Sequence, residues 1–236
     1  MQPVRWPHVT YTERIVNALL RTAFQLIARM DTDGLRRLPR RGPGILMTNH
    51  TSNLEGPAYY VFMAPRPTTA LGKRELWDRW FTRFLMNLWG VIPVSRGQVD
   101  RAALRSAYRA LDRGAFLGIA PEGTRSSSGR LTRGLPGIAL IATARPVPVY
   151  PIAQCGLKEI GRNLGRLRRT RVSFRLGRPF RVVVPGRERL SSSMLRAITD
   201  EMMYEIARVL PPKLRGAYAD IPSGQPHYLE FIDQTP

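Results

Sequence analysis

Residues 48–57 read Thr-Asn-His-Thr-Ser-Asn-Leu-Glu-Gly-Pro, and most of them are polar. This polar segment follows the short apolar stretch at residues 44–48. It contains His50, and the acid Glu55 stands five positions later, where a helix is predicted to begin. A carboxylate within reach of one imidazole nitrogen fixes the tautomer and leaves the other nitrogen free to act as a base. The segment therefore indicates a histidine base oriented by Glu55, with a purely structural histidine as the alternative.

A second polar segment, residues 121–126 (PEGTRS), directly follows the apolar stretch at residues 115–120. Its Gly123, Thr124 and Arg125 offer backbone amides, a hydroxyl and a guanidinium, which are the groups that bind phosphate in proteins. The segment predicts a phosphate-binding loop that also contains Glu122. The alternative is a tight polar loop in which Arg125 pairs with Glu122.

A third segment, residues 72–75 (Gly-Lys-Arg-Glu), places Lys73 and Arg74 at a predicted strand-to-helix junction. The N-terminus of a helix favours an anion, so two cations at this place suit a phosphate group. The alternative is an ordinary solvated start of a helix.

Short apolar stretches alternate with helical patterns through most of the chain, which is typical of an α/β domain. The predicted strands are residues 44–48, 68–71, 90–94, 115–120, 147–153, 170–176 and 181–184, and the predicted helices are residues 54–63, 75–89, 99–113, 134–143 and 193–210. We predict one α/β domain with a largely parallel or mixed sheet flanked by helices. All three polar segments then follow strand ends, where such sheets usually build their sites.

Residues 14–30 have a helical period with one narrow polar stripe and a wide apolar remainder. Such an amphipathic helix needs its apolar face covered, either by its own domain or by a membrane interface in which the arginines snorkel. We expect an N-terminal segment at residues 1–41 that carries this helix, a catalytic domain at residues 42–212, and a polar surface tail at residues 213–236.

Composition excludes several classes of protein. The 236 residues are 43% apolar, which permits a core and excludes overall disorder. The single cysteine, Cys155, excludes an intramolecular disulfide framework, and three histidines make a multi-histidine metal centre improbable. Charge-free apolar runs are shorter than the ~20 residues of a spanning helix, and no cleavable signal peptide is expected.

The strongest compositional signal is a formal net charge of +20, with a pI near 11.4. Such a charge attracts nucleic acid, anionic lipid surfaces or small polyanionic substrates. Aromatic residues between Trp77 and Trp89 lie in an apolar helical pattern rather than alternating as base-stacking platforms do. A nucleic-acid partner is therefore disfavoured.

The motifs occur in a recognisable order: Asn49-His50 with Glu55, then GKREL at residues 72–76, PEGTRS at 121–126 and VPVYPIA at 147–153. This order resembles the glycerolipid acyltransferase family, the lysophosphatidic acid acyltransferases and their relatives, over roughly residues 42–153. The resemblance implies an O-acyltransferase of phospholipid biosynthesis. It implies transfer of a fatty acyl group from acyl-CoA or acyl carrier protein to a glycerol phosphate hydroxyl.

The family implies an acceptor and roles for the motif residues. The leading acceptor is 1-acylglycerol 3-phosphate, which gives phosphatidic acid; glycerol 3-phosphate or another lysophospholipid is the alternative. His50 would be the general base and Glu55 the acid that holds it, although the family usually has Asp there. The acceptor phosphate would be bound by Lys73, Arg74, Arg96, Glu122, Gly123, Thr124 and Arg125.

The resemblance also bears on partners. No cofactor or metal is implied, since the acyl thioester is itself a substrate. Together with the net charge and the N-terminal helix, it predicts a peripheral protein on an anionic membrane surface. We expect the cytoplasmic face of a bacterial cell membrane.

Overall fold

The computed structural model describes residues 10–95, 100–186 and 190–233. The helices in this part of the chain are α1 (Tyr11–Ile27), α2 (Asp33–Arg36), α3 (Glu55–Met63), α4 (Trp80–Leu88), α5 (Arg101–Asp112), α6 (Gly137–Ala144), α7 (Ile160–Leu164) and α8 (Ser192–Val209). The strands are β1 (Ala28–Asp31), β2 (Gly44–Thr48), β3 (Thr68–Lys73), β4 (Ile92–Val94), β5 (Phe116–Ile119), β6 (Val149–Cys155), β7 (Thr170–Leu176), β8 (Phe180–Val182) and β9 (Leu229–Phe231).

These strands form one mixed sheet in the order β1-β7-β6-β2-β5-β3-β4, and β8 pairs with both β6 and β9. Strands β6, β2, β5, β3 and β4 run parallel, whereas β7 runs antiparallel to β6 and β1 runs parallel to β7. The predicted α/β fold, with a largely parallel or mixed sheet flanked by helices, is confirmed. The antiparallel part lies on the β7, β8 and β9 side.

Two buried apolar clusters cover the two faces of the sheet. One joins Ile45 and Met47 of β2 to α5, α6 and α8, and the other joins Leu46 of β2 to α1, α2 and α3. Every residue of β2 is buried, which is why this strand reads as a continuous apolar run rather than an alternating one. The central strand is therefore fixed by packing on both sides.

Side-chain caps set the starts of three helices. Thr10 Oγ1 accepts from the Glu13 amide before α1, and Ser191 Oγ accepts from the Met194 amide before α8. Asp100 Oδ1 accepts from the amides of Ala102 and Ala103 before α5. Each cap satisfies amides that have no carbonyl partner within the helix.

The N-terminal segment contributes more to the fold than the sequence pattern indicates. The predicted helix at residues 14–30 ends at Ile27, and residues 28–31 form β1, an edge strand paired in parallel with β7. Ala28 is buried and Arg29 is exposed, an alternation of period two that belongs to a strand. The sheet therefore begins before residue 42.

The predicted helix at residues 75–89 is interrupted. A 3-10 turn at Arg74–Trp77 precedes α4, which starts at Trp80. Thr82 Oγ1 donates to the Leu76 carbonyl and Arg83 Nε donates to the Trp77 carbonyl, at 2.5 and 2.7 Å. These side chains take the carbonyls that a continuous helix would use, so the chain turns between the two elements.

The segment expected to be a surface tail, residues 213–236, lies on the surface over its described residues but is anchored to the domain by two buried residues and a strand. Tyr218 and Leu229 are buried in the main core cluster, and β9 extends the sheet through β8. The Tyr218 hydroxyl donates to Asp200 Oδ1 and accepts from the Gly134 amide, at 2.8 and 3.1 Å. The polar composition of this segment concealed a few apolar residues that the core requires.

Membrane-spanning elements are not seen in the described ranges. Each helix there is too short or too polar to cross a bilayer.

We expect the docking of the C-terminal segment to stabilise the whole fold. Gly216 has φ +53°, and a Cβ at this residue would collide with the Leu131 carbonyl. Gly216→Ala should lower the free energy of unfolding by about 1–2 kcal/mol or more, since an L-residue is strained in this conformation even without the collision.

The measurement is urea denaturation followed by circular dichroism. Gly224→Ala in the same segment is the matched control, because a Cβ there meets nothing within 4 Å. Equal stability of the two variants would mean that the segment does not contribute to the fold.

Candidate active site

Three parallel neighbouring strands, β2, β5 and β3, end at the same edge of the sheet. β2 ends at Thr48, two residues before His50, and β5 ends at Ile119, three residues before Glu122. β3 ends at Lys73. The topology thus brings the three predicted polar segments to one edge, as parallel strands require.

His50 contacts Glu55 through a short hydrogen bond between its Nδ1 and the Glu55 Oε2 atom. Glu55 is the first residue of α3, so the start of this helix delivers the carboxylate to the ring. The histidine side chain is 24% exposed, and within the described ranges its Nε2 atom has no hydrogen-bond partner. The ring is therefore anchored on one nitrogen and open on the other.

Glu55 is 3% exposed, and its second oxygen is held by several donors. Oε1 accepts from the backbone amides of Thr51 and Ser52 at 2.6 and 2.7 Å. It also accepts from Thr51 Oγ1 at 3.0 Å and from Gln154 Nε2 at 2.7 Å. A buried carboxylate is tolerated when its oxygens are satisfied in this way, and its position is then fixed.

The backbone of His50 is held by the loop after β5. The His50 amide donates to Glu122 Oε1 at 2.7 Å, and the His50 carbonyl accepts from the Ser126 amide at 2.8 Å. Side chain and main chain of the histidine are thus fixed by different acids. The PEGTRS loop is a direct neighbour of the histidine.

Glu122 uses both of its oxygens for the protein itself. Its Oε2 atom accepts from the amide and the hydroxyl of Thr132, each at 2.8 Å. Burial raises the pKa of the Glu122 carboxyl, while hydrogen bonds from Thr132 and His50 act in the opposite direction. With both oxygens engaged by the protein, this carboxylate positions the loop. In this it differs from the sequence expectation, which placed Glu122 among the groups that contact the acceptor phosphate.

The remaining loop residues are available to a ligand. Gly123 has φ +67°, a conformation that favours glycine, and Thr124 and Arg125 are exposed. Arg125 forms no ion pair with an acid in the described part of the chain, so the alternative pairing with Glu122 is not observed. Its guanidinium is free to meet an anion.

The other predicted cations lie along the same edge or outside the described residues. Lys73 is half-buried at the end of β3, and Arg74 is exposed at the start of the following 3-10 turn. The structure records no hydrogen bond from either side chain to His50 or to the PEGTRS loop among the described residues. Arg96 falls in the range 96–99, which lies outside them.

Gln154 is the site residue that the motifs did not reveal. It lies in β6, directly after the VPVYPIA segment, and is 1% exposed. Its side chain donates to Glu55. Its backbone amide donates to Asn49 Oδ1 at 2.8 Å, and its backbone carbonyl accepts from Asn49 Nδ2 at 3.0 Å. A polar residue within an otherwise apolar strand is the signal that could have identified it.

The described residues contain no group of three or more His, Cys, Asp or Glu that could hold a metal ion. An imidazole with an open Nε2 and a carboxylate on Nδ1 can remove a proton from a hydroxyl group and return it later. An adjacent loop with a glycine, a hydroxyl and a free guanidinium can bind a phosphate.

Comparison with known proteins points to one family. The sequence model of the acyltransferase family matches residues 29–154. A chloroplastic 1-acyl-sn-glycerol-3-phosphate acyltransferase of Brassica napus is 31% identical over 137 residues, which are 56% of this chain and 39% of that protein. A 1-acyl-sn-glycerol-3-phosphate acyltransferase of Borreliella burgdorferi is 30% identical over 98 residues, which are 41% of this chain and 39% of that protein.

The fold has a solved relative. The crystal structure of the 1-acyl-sn-glycerophosphate acyltransferase PlsC from Thermotoga maritima superimposes with a TM-score of 0.60 at 23% identity. The match covers 83% of this chain and 77% of that chain. By contrast, the match spans only 39% of the length of the Brassica and Borreliella proteins.

The raised pKa of Glu122 predicts a pH-dependent stability. As the pH falls, the folded protein binds a proton at Glu122 before the unfolded chain does, and this binding stabilises the fold. The stabilisation is complete below the ordinary pKa of 4.5. It is lost as the pH rises through the raised pKa of the folded protein. Glu122→Gln cannot titrate at this position. The free energy of unfolding of wild type minus that of the variant should therefore fall as the pH rises from below 4.5 toward neutrality.

Urea denaturation at a series of pH values measures this difference. A difference that grows with pH would show that the hydrogen bonds from Thr132 and His50 outweigh burial at this carboxylate.

Proposed function

Since the chain belongs to the acyltransferase family, we propose that it transfers a fatty acyl group from an acyl thioester to a hydroxyl group of a phosphorylated glycerolipid. The observation that carries the proposal is the contact of His50 Nδ1 with the buried Glu55, beside a loop with a free Arg125. This contact supports His50 as the base and Arg125 as the phosphate ligand, at one edge of the sheet.

In the proposed reaction, His50 Nε2 removes the proton of the acceptor hydroxyl as its oxygen attacks the thioester carbonyl. The tetrahedral intermediate collapses with loss of the thiolate, which takes the proton back from the imidazolium. Glu55 stabilises the imidazolium that forms between these steps and holds the ring in one tautomer. The substrate supplies the nucleophile, so no acyl-enzyme is required.

Acceptor binding is assigned to the groups that the structure leaves free. Arg125 offers a bidentate contact to phosphate, and Gly123 and Thr124 lie beside it in the same loop. Lys73 and Arg74, at the same edge of the sheet, complement the charge. The names of the Brassica and Borreliella relatives favour 1-acylglycerol 3-phosphate as the acceptor.

Glutamate at position 55 is compatible with this mechanism. The longer side chain places Oε1 among the Thr51 and Ser52 amides and Gln154 while Oε2 reaches His50. The departure from the usual aspartate is thereby accommodated by a complete set of donors.

Membrane contact is proposed for the outer faces of α1 and α4. Helix α1 turns Asn17 and Phe24 inward, and the Trp89 indole after α4 donates to Asn17 Oδ1 at 3.0 Å. Val16 and Leu20 of α1 pack against the buried cluster that contains Leu85 and Met86 of α4. Large apolar side chains are left exposed on both helices: Tyr11, Ile15, Leu19, Leu26, Trp80, Phe81 and Phe84. An apolar face of this kind, on a strongly basic protein, suits insertion into an anionic bilayer surface.

One face of α1 docks on the domain, which is the first of the two alternatives for the N-terminal helix. Membrane contact of its exposed face, the second alternative, is part of the proposal. The cytoplasmic face of a bacterial cell membrane remains the predicted location. Acyl-CoA and acyl carrier protein remain the two candidate donors.

The function is tested by release of free thiol from palmitoyl-CoA in the presence of 1-acylglycerol 3-phosphate. His50→Ala should lower kcat by about 10²–10⁴-fold, as loss of a general base does. Glu55→Gln should approach this loss because it removes the charge that stabilises the imidazolium, and the double variant should add little. Glu55→Asp should retain activity below wild type, since its carboxylate no longer reaches all of its donors.

The control is His227→Ala, which changes an exposed histidine near the C-terminus and should leave kcat unchanged. Thermal unfolding confirms that each variant is folded. Near wild-type turnover by a folded His50→Ala protein would overturn the mechanism.

For the membrane surface, we expect the double substitution Leu19→Ser and Leu26→Ser to lower the affinity for anionic phospholipid vesicles by at least about tenfold, since each leucine loses its apolar burial in the interface. Both side chains are more than half exposed, so the fold should be preserved. Vesicle sedimentation measures the bound fraction.

Val183→Ser, which changes an exposed apolar residue after β8, is the control. High salt should release wild type only in part, because screening weakens the charge contribution and not the insertion. Complete release by salt alone would contradict an inserted apolar face.

A further inference from the structure

An open groove of about 560 Å³ lies at the β1–β7 edge of the sheet, away from the His50 site. We call it the basic groove. Its polar lining consists of four arginines with one acid and one hydroxyl: Arg29, Arg169, Arg171, Arg175, Asp31 and Ser173. We propose that the basic groove binds the phosphates of coenzyme A when this nucleotide carries the acyl group, an inference that rests on the proposed function.

The arrangement of the arginines carries this inference. In the parallel pairing of β1 with β7, Arg29 stands directly opposite Arg171, and Arg175 follows on the same face of β7. Like charges in directly opposite positions destabilise a sheet. Within the described residues none of the three forms an ion pair with an acid. A bound polyanion would remove the repulsion that the strands otherwise retain.

Arg169 differs from the other three because part of its guanidinium is already used. Its Nη2 atom donates to the carbonyl oxygens of Gln25 and Ala28, at the end of α1. This arginine ties the helix to the rim of the groove. Arg29, Arg171 and Arg175 are exposed and are left to meet a ligand.

The acid and the hydroxyl favour a nucleotide over a lipid surface. Asp31 and Ser173 are register partners between the arginines. A carboxylate in the middle of the cluster weakens a purely electrostatic contact with phosphate headgroups. It provides, however, an acceptor for the amino group of adenine or a ribose hydroxyl.

The groove also lies at a suitable level relative to His50. Ile152 of β6 pairs with Thr48 of β2 on one side and with Leu176 of β7 on the other, so Arg175 lies one residue nearer to the edge from which His50 emerges. With strands about 4.8 Å apart, β7 and β1 lie roughly 10 and 14 Å from β2. The extended pantetheine arm of coenzyme A spans more than this distance, crossing the edge of the sheet beyond Cys155.

The test is isothermal titration calorimetry of the full chain with coenzyme A, adenosine 3′,5′-bisphosphate, dephospho-coenzyme A and inorganic phosphate. The bisphosphate should bind, and dephospho-coenzyme A, which lacks the 3′-phosphate, should bind more weakly than coenzyme A. Arg171→Ala should weaken the bisphosphate by at least about tenfold, as loss of a charged hydrogen-bonded contact does. Arg105→Ala, an exposed arginine on α5, is the matched control.

The readout separates this inference from the proposed function, because binding of the bisphosphate requires no acyl transfer. Unchanged binding by a folded Arg171→Ala protein would overturn the inference, even if palmitoyl-CoA is consumed. Binding that is lost in Arg171→Ala would support it, even if no acyl transfer is found. Arg171-dependent binding to anionic vesicles, with no binding of the bisphosphate, would also overturn it.

Discussion

A single buried carboxylate, that of Glu55, joins the loop after β2 to strand β6, which lies far along the chain. It receives the amides of the loop after β2, the side chain of Gln154 from β6, and the ring of His50. Burial of a charge is unfavourable unless donors surround it, so none of these elements can shift without leaving the carboxylate unsatisfied. The geometry of the His50–Glu55 pair and the stability of the central sheet therefore depend on the same contacts.

A second buried acid completes the arrangement from the opposite side. Glu122 joins the backbone of His50 to Thr132, and in doing so connects the loop after β2 to the connection between β5 and α6. Glu55 fixes the imidazole ring of His50, and Glu122 fixes the backbone of the same residue. Arg125, in the same loop as Glu122, is left exposed beside a rigid support, which is the condition for binding an anion without losing much side-chain freedom.

The sequence was sufficient for the features that depend on local patterns. Apolar runs such as residues 44–48 and 170–176 identified strands at their observed bounds, and the motif order brought His50 together with Glu55 and the PEGTRS loop. Features that depend on partners far along the chain were missed. β1 is a strand only because β7 pairs with it, and Gln154 acquires its role only when β6 lies beside β2. Glu122 has a cation-rich neighbourhood in sequence, yet its donors come from Thr132 and a backbone amide.

The docking of the C-terminal segment has a consequence for the order in which the protein matures on the ribosome. The Leu131 amide donates to the Leu214 carbonyl, and the Leu131 carbonyl accepts from the Ala217 amide, at 2.9 and 3.0 Å. Leu131 directly precedes Thr132, the partner of Glu122. The loop that fixes His50 therefore gains this support only when residues 214–217 have left the exit tunnel. Helix α1, with its exposed apolar side chains, thus emerges long before the loop beside His50 is fully supported.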